Sequence, residues 1–256
     1  MKVNKIYNEN CLDTMARMKD NFIDLTVTSP PYDNLRTYNG YSFDFESIAK
    51  ELYRVTKEGG VIVWIVNDAT IKGSETGTSF KQALYFKEVG FNLHDTMIWQ
   101  KVSSFQHKNR YIPCFEYMFV FSKGKPKTYN LIKDRKNKWG GTQVHGTERQ
   151  LNGETRQRSA IQKSKIVKEY GARYNIWDIP PNKNNKTGHP AVFPEQLVND
   201  HILTWSNSND VVYDPFMGSG TTAKMAKTNN RNYIGSEISK EYCDIINERL
   251  SQIRMF

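Results

Sequence analysis

An uninterrupted apolar run, V-I-V-W-I-V at residues 61–66, constrains the fold more than any other feature of this sequence. A short run rich in Val and Ile is typical of a parallel strand that is buried on both faces. Strand patterns also occur at 5–7, 23–27, 93–99, 115–121, 211–213 and 232–236, and helical patterns at 11–18, 45–56, 80–89, 194–205, 221–227 and 239–253. This alternation predicts a mostly parallel α/β sheet with helices on both faces. We expect Gly59-Gly60 to end the helix over 45–56.

Regular periodicity is missing from residues 123–188, which are rich in Lys, Asn, Gly and Gln. A long irregular stretch inside a compact domain is usually functional, so it is interpreted as an inserted binding region. We therefore predict one domain in two halves, 1–122 and 189–256, with an insert at 123–188. Its composition further suggests that part of the insert orders only when a partner binds.

The charge of the chain is concentrated in its middle. The net charge is +9, yet residues 101–175 hold 17 Lys/Arg against 5 Asp/Glu, so the rest of the chain is slightly acidic. Aromatic side chains lie among these charges at Tyr129, Trp139, Tyr170 and Tyr174. Basic residues interleaved with aromatic ones favour a nucleic-acid partner over a merely solvated face.

The three cysteines, Cys11, Cys114 and Cys243, show no paired spacing, which argues against a zinc site and suits a reducing compartment. No apolar stretch approaches a membrane span, and the first residues lack the apolar core of a signal peptide. We expect a soluble, cytoplasmic protein without a metal or a membrane partner.

A glycine loop follows the strand at 211–213, where the sequence reads D-P-F-M-G-S-G-T-T from Asp214 to Thr222. Such a turn lets the backbone approach a ligand closely, but it lacks the Gly-Lys-Ser/Thr of a phosphate loop. A carboxylate at the strand end, Asp214, repels phosphate and suits an ammonium group. After the next strand, Glu237 stands where a carboxylate reaches ribose hydroxyls in doubly wound folds. An amino group and a ribose without phosphate describe S-adenosylmethionine.

The other unusual loop is S-P-P-Y, Ser29 to Tyr32, directly after the strand at 23–27. Ligands of open α/β sheets bind beyond the carboxyl ends of the strands, so this loop should face the same crevice as Asp214. Prolines lack an N–H and fix φ, which leaves rigid carbonyl acceptors beside the Ser29 hydroxyl. These acceptors suit a planar amino group that loses a proton as its nitrogen is methylated, while Tyr32 offers a stacking surface to a flipped base.

T-S-P-P-Y and D-P-F-M-G-S-G-T-T, in this order, closely resemble motifs of the N4-cytosine/N6-adenine DNA amino-methyltransferases in their circularly permuted β arrangement. The resemblance covers nearly the whole chain outside 123–188. It implies a Rossmann-like class I methyltransferase sheet with one antiparallel strand, and a basic insert that recognises the target. Ser29, Pro30, Pro31 and Tyr32 would be the catalytic residues.

The resemblance also implies a cofactor site for S-adenosylmethionine. Its candidate residues are Asn10, which stands where the family usually has Asp, with His189, Phe193, Asp214, Phe216, Gly218, Ser219, Gly220, Thr221, Thr222 and Glu237. Glu116 and Phe121 to Gly124 resemble the strand before the recognition region. His189 could equally be a capping or packing residue.

The sequence leaves the methylated base open. Ser before Pro-Pro-Tyr is more typical of cytosine-N4 enzymes and Asp of adenine-N6 enzymes, so we favour cytosine with adenine as the alternative. Cytosine C5 chemistry needs a nucleophilic cysteine, and Cys114 in Pro113-Cys114 is better interpreted as a buried packing residue. A non-catalytic DNA-binding protein and an RNA or protein methyltransferase are further alternatives. The expected partner is double-stranded DNA, and the sequence leaves open whether a cognate restriction endonuclease exists and whether the enzyme is a monomer or a homodimer. The resemblance implies a protein of prokaryotic or phage type.

Overall fold

The computed structural model describes residues 1–31, 43–101, 108–181 and 194–253. It divides into two compact units, a larger one of Met1–Asn130 and Asn175–Phe256 and a smaller one of Leu131–Tyr174. Within the described ranges, no helix has both the length and the apolar character that crossing a membrane requires.

The larger unit is an α/β unit. In chain order its elements are β1 (Lys5–Tyr7), α1 (Cys11–Ala16), β2 (Ile23–Thr28), α2 (Phe45–Val55), β3 (Thr56–Val66), β4 (Thr70–Ile71), β5 (Ser74–Glu75), α3 (Thr78–Val89), β6 (Asn92–Gln100), β7 (Phe115–Ser122), then, beyond the smaller unit, β12 (Ile176–Asp178), α5 (Glu195–Trp205), β13 (Val211–Asp214), α6 (Thr221–Thr228), β14 (Asn232–Ser236) and α7 (Lys240–Ser251). The smaller unit holds β8 (Arg135–Lys136), β9 (Thr147–Arg149), β10 (Thr155–Gln157), α4 (Ala160–Lys163) and β11 (Tyr170–Gly171).

Eight of the described strands form one sheet in the order β1-β14-β13-β2-β3-β7-β6-β12. Strands β1, β14, β13, β2 and β3 are mutually parallel. Strand β7 runs antiparallel to both of its neighbours, and β12 is parallel to β6. The predicted fold class, a mostly parallel methyltransferase-type sheet with one antiparallel strand, is therefore confirmed.

The apolar run at 61–66 is buried on both faces of the sheet because its side chains alternate. Val61, Val63 and Ile65 pack with residues of α5, α6 and α7, whereas Ile62, Trp64 and Val66 pack with residues of α1, α2 and α3. The run thus lies between two helical layers, as its composition predicted.

One expectation about local structure was wrong, and the structure adds one strand that the sequence pattern did not show. Helix α2 ends at Val55, and Gly59-Gly60 lie within β3 instead of ending the helix. Gly59 has φ +77°, and a Cβ there would lie 2.7 Å from Lys127 Cβ, so a close approach between chain segments requires this glycine. The region 123–188 also contributes a strand to the main sheet, since β12 pairs with β6. Strand β12 has three residues, Ile176–Asp178, which are too few to show a strand period in the sequence.

The smaller unit, taken by itself, consists of short antiparallel pairings. Strand β8 pairs with β11, and β9 pairs with β10 as a hairpin. Helix α4 begins with a capping box between Ser159 and Gln162. Among its described large apolar residues, Leu151, Ile161 and Ile166 are exposed, so these side chains contribute little to a core.

Candidate active site

The two unusual loops follow neighbouring strands of the main sheet. Strands β2 and β13 are paired in parallel, with Tyr213 opposite Thr26. Strand β2 ends at Thr28, directly before Ser29-Pro30-Pro31, and β13 ends at Asp214, directly before the glycine loop. Parallel strands bring their carboxyl ends to one edge of a sheet, where ligands bind in open α/β folds. Pro30 is buried, while Ser29 and Pro31 are half-buried.

The Asp214 carboxylate lies at the centre of this edge and is only 1% exposed. Its Oδ1 accepts hydrogen bonds from the Thr28 hydroxyl at 2.6 Å and the Phe216 N–H at 3.0 Å. Its Oδ2 accepts a hydrogen bond from the Thr222 hydroxyl at 2.8 Å. The predicted cofactor residue Asp214 is thus hydrogen-bonded to the strand that leads into the predicted catalytic loop.

Burial raises the pKa of Asp214 to about 6, although the Thr28, Thr222 and Phe216 hydrogen bonds favour the ionised form and lower it. Burial likewise raises the pKa of Glu237, and the charge of Asp214 adds to this rise. Within the described part of the chain, neither carboxylate forms an ion pair with a lysine or arginine. Two uncompensated acidic groups fit a cationic ligand and do not fit a phosphate.

The glycine loop is held by the other predicted carboxylate. Glu237 Oε2 accepts the Gly218 N–H at 2.8 Å, and Oε1 accepts the Ser239 N–H at 2.8 Å. Helix α6 then begins at Thr221, after Gly220 at φ +85°. A Cβ on Gly220 would lie 2.8 Å from Ile246 Cγ2, so packing against α7 requires glycine here. Glu237 therefore shapes the loop through backbone hydrogen bonds.

Three residues that the sequence analysis missed are linked to the same loop. Arg249 of α7 donates to the Ser219 carbonyl and, at 3.3 Å, to the Ser219 hydroxyl. Arg249 also donates to Glu195 Oε1 at 3.1 Å, and Lys224 reaches that atom at 2.5 Å. All three lie outside the residues predicted for the site, and helix α7, which carries Arg249, showed only a helical pattern in the sequence.

The remaining predicted cofactor residues are placed as follows. Phe216 is half-buried, with its ring 5.6 Å from that of Phe43. Ser219, Thr221 and Thr222 are buried. Asn10 is the N-cap of α1, where its Oδ1 accepts the Leu12 N–H at 2.9 Å.

Tyr32, His189 and Phe193 lie outside the described residues. Glu116 forms an ion pair with Lys101 near the same edge of the sheet. Cys114, which we expected to be buried, is exposed. It precedes β7 instead of lying in it, and its carbonyl accepts the Lys101 N–H at 2.7 Å. Among the described residues, no group of three or more His, Cys, Asp and Glu side chains could hold a metal ion.

A family model described as DNA methylase (N6_N4_Mtase) matches residues 23–248. The chain belongs to this family. The resemblance predicted from the two motifs is therefore confirmed, and the chain is an S-adenosylmethionine-dependent DNA methyltransferase of the N4-cytosine/N6-adenine group.

Curated relatives agree with this assignment, and solved structures share the fold. The orphan methyltransferase M.BamHII of Bacillus amyloliquefaciens is 64% identical to the methylase over 246 residues, covering 91% of this chain and 92% of the relative. The type II methyltransferase M.BglII of Bacillus subtilis is 28% identical, covering 97% and 69%. The PvuII DNA methyltransferase (cytosine-N4-specific) shares the fold at a TM-score of 0.71 and 20% identity, covering 99% of this chain and 89% of that chain. The M1.HpyAVI complex with SAM matches at 0.63 and 25%, covering 96% and 98%.

Proposed function

We propose that this methylase transfers a methyl group to the exocyclic amino group of a flipped base in double-stranded DNA, and that the target atom is cytosine N4. The observation that carries the proposal is the hydrogen bond between Thr28 and Asp214, because it joins the strand before the catalytic loop to the carboxylate of the cofactor loop. A methyl donor and an acceptor amine need such adjacent sites for direct transfer.

The buried carboxylates suit the cofactor. An ionised carboxylate offers about four lone-pair positions. Three positions on Asp214 are filled by Thr28, Phe216 and Thr222, which leaves one for the ammonium group of S-adenosylmethionine. Glu237 uses one position on each oxygen for the backbone, so both oxygens keep capacity for ribose hydroxyls. S-adenosylmethionine supplies the methyl group as an electrophilic sulfonium substituent.

The Ser29-Pro30-Pro31 loop acts on the amine. The nitrogen lone pair of a nucleobase amine is delocalised into the ring, which makes it a poor nucleophile. Acceptors that bind the two amine hydrogens, here the Ser29 hydroxyl and a proline-flanked carbonyl, pull the nitrogen toward tetrahedral geometry and localise the lone pair. The nitrogen then forms its bond to the methyl carbon as the carbon–sulfur bond breaks, and one amine proton leaves through the acceptors. Tyr32 would stack on the base.

Ser29 favours cytosine as the base. The resemblance associates Ser at this position with cytosine-N4 enzymes more often than with adenine-N6 enzymes. A hydroxyl can accept a hydrogen from either amine, so adenine N6 is the alternative outcome.

Product analysis tests the proposal. The protein is incubated with unmethylated double-stranded DNA and labelled S-adenosylmethionine, and the DNA is digested and identified as nucleosides by mass spectrometry. N4-methylcytosine is expected. N6-methyladenine would overturn the choice of base, and bound cofactor without label in DNA would overturn the transfer reaction itself. The same DNA in single-stranded form tests the preference for duplex.

We further infer that the smaller unit, Leu131–Tyr174, recognises the DNA target. It holds 11 Lys/Arg against 4 Asp/Glu. Lys138 lies over the ring of Trp139, which is 65% exposed, and Arg135 lies over the exposed ring of Tyr174. Exposed aromatic rings beside cations can meet bases while the cations meet phosphates.

Salt dependence tests this assignment. Each phosphate contact contributes about −0.9 to the slope of log K against log salt. Lys136→Gln and Lys138→Gln together should therefore flatten the slope by about 2. The matched control is Lys19→Gln, an exposed lysine that precedes the amino end of β2, at the edge opposite to the site. Equal slopes for the double variant and the control would move the phosphate contacts elsewhere.

The restriction partner is a separate question. M.BamHII is described as an orphan methyltransferase. By analogy we propose that this methylase also acts without a cognate endonuclease. An endonuclease gene beside its own gene, cutting the sequence that the methylase protects, would contradict this.

A further inference from the structure

Strand β2 carries two threonines, Thr26 and Thr28, that are both fully buried. The Thr28 hydroxyl donates to Asp214 Oδ1 at 2.6 Å. The Thr26 hydroxyl has no hydrogen-bond partner among the residues that the structure describes. The two side chains have the same chemistry and the same burial, so their difference in bonding isolates what the Thr28 hydroxyl does.

Thr28 stands between the two motifs. It is the last residue of β2 and is followed directly by Ser29. The Thr222 hydroxyl of α6 also contacts both strands, because it lies 2.8 Å from Asp214 Oδ2 and 3.3 Å from the Val27 carbonyl. The end of β2 is therefore hydrogen-bonded to Asp214 both directly and through α6.

We propose that Thr28 is a positioning residue for methyl transfer: its hydroxyl orients the Asp214 carboxylate and keeps it ionised for the cofactor ammonium, and so couples the filled cofactor site to the catalytic loop. The inference rests on the proposed function, in which Asp214 binds that ammonium. Thr28 itself touches neither base nor cofactor in this role.

The electrostatic surroundings explain why one hydroxyl matters. The titratable groups that interact with the Asp214 charge are Cys11 of α1, Tyr213 of its own strand and Glu237 after β14. Burial raises the pKa of each of these groups, and none of them is a cation. Among the described residues, the ionised form of Asp214 is therefore stabilised by its three hydrogen bonds. Removing the Thr28 bond should raise the pKa of Asp214 further above 6.

The experiment measures S-adenosylmethionine affinity by calorimetry between pH 5.5 and 8.5, without DNA. The variants are Thr28→Val, which removes the hydroxyl at constant shape, Thr28→Ser, which keeps it, and Thr26→Val as the matched control. We expect Thr28→Val to move the acid limb of binding upward by about one pH unit. Affinity then falls about fivefold at pH 6 and less than twofold at pH 8.

The same shift should appear in the pH profile of kcat/KM for the cofactor, with Thr28→Ser and Thr26→Val following the wild type. An equal loss at every pH would assign Thr28 to packing alone and overturn the proposal, as would a Thr28→Val profile that coincides with Thr26→Val. Should the valine variant fail to fold, Thr28→Cys, with a weakly donating thiol, provides the same comparison.

The outcome is separable from that of the proposed function. Variants that coincide while the wild type methylates DNA contradict the role of Thr28 alone. A wild type that binds the cofactor but labels no DNA contradicts the transfer reaction, while the comparison of cofactor affinities still decides whether Thr28 controls Asp214.

Discussion

Replacing Asp214 by Asn should stabilise the ligand-free methylase at neutral and alkaline pH. The carboxylate is buried, and its pKa is about 6 instead of the ordinary 3.8. Between these two pH values the folded state holds a proton that the unfolded state has lost. The free energy of unfolding therefore falls as the pH rises through this window, and its full decrease is reached above pH 6. About two pH units correspond to about 3 kcal/mol.

Asparagine can keep every hydrogen bond of the cluster. Its Oδ1 accepts from the Thr28 hydroxyl and the Phe216 N–H, as Asp214 Oδ1 does. Its amide group takes the place of Oδ2 and donates to the Thr222 hydroxyl, which turns its own proton to the Val27 carbonyl at 3.3 Å. The substitution thus removes a charge and keeps a partner for each of the three donor groups around it.

Chemical denaturation at pH 8 and at pH 5, without cofactor, measures the effect. We expect Asp214→Asn to unfold with up to about 3 kcal/mol more free energy than the wild type at pH 8, and with a smaller advantage at pH 5. Asp24→Asn is the matched control, because Lys57 at 2.7 Å already compensates that carboxylate and its loss should destabilise the protein. A variant less stable than the wild type at pH 8, or a pH-independent difference, would refute the reasoning. The affinity of Asp214→Asn for S-adenosylmethionine should nevertheless fall.

Three further substitutions probe the loops. Arg249→Met removes the donor to the Ser219 carbonyl, so cofactor affinity should fall about tenfold in calorimetry; an unchanged affinity would make Arg249 a packing residue only. Gly220→Ala places a Cβ at φ +85° against the Cγ2, Cγ1 and Cβ atoms of Ile246, and should lower the free energy of unfolding by about 2 kcal/mol. The same change should cost less in an Ile246→Ala background, which lacks both Cγ atoms, and an equal cost there would show that the clash is absent. Tyr32→Ala should abolish turnover while cofactor binding survives, and near-normal turnover would exclude a stacking role.

The fold could be predicted because its evidence is local in sequence. The run at 61–66 and the alternation of patterns indicate buried strands and two helical layers without any knowledge of contacts. The two motifs could be assigned to one edge of the sheet because the carboxyl ends of parallel strands share that edge. The features that the sequence did not predict depend on contacts with residues that are distant in sequence. Gly59 is needed because Lys127 approaches it, and β12 is a strand only because β6 pairs with it.

The chemistry of the two carboxylates at the site also depends on contacts that the sequence does not show. The sequence assigns Asp214 and Glu237 to the ammonium and ribose groups of one ligand, but it does not show how each carboxylate is held. In the structure two of the three hydrogen bonds to Asp214 come from side-chain hydroxyls and one from the Phe216 N–H, whereas both hydrogen bonds to Glu237 come from backbone N–H groups. A substitution of Glu237 therefore disturbs the loop itself, whereas a change at Thr28 or Thr222 alters the charge of Asp214 and leaves the backbone in place.

Thr26 and Thr28 differ in the hydrogen bonding of one hydroxyl, which the sequence also does not show. Both are β-branched residues of one strand, and sequence patterns treat them alike. Only the register of β2 against β13 brings Thr28 to the end of the sheet, where Asp214 is, and leaves Thr26 opposite Tyr213. Within T-S-P-P-Y, the predicted catalytic residues begin only at Ser29. The threonine before it belongs to the site, because its hydroxyl joins the loop that would hold the base to the carboxylate that would hold the methyl donor.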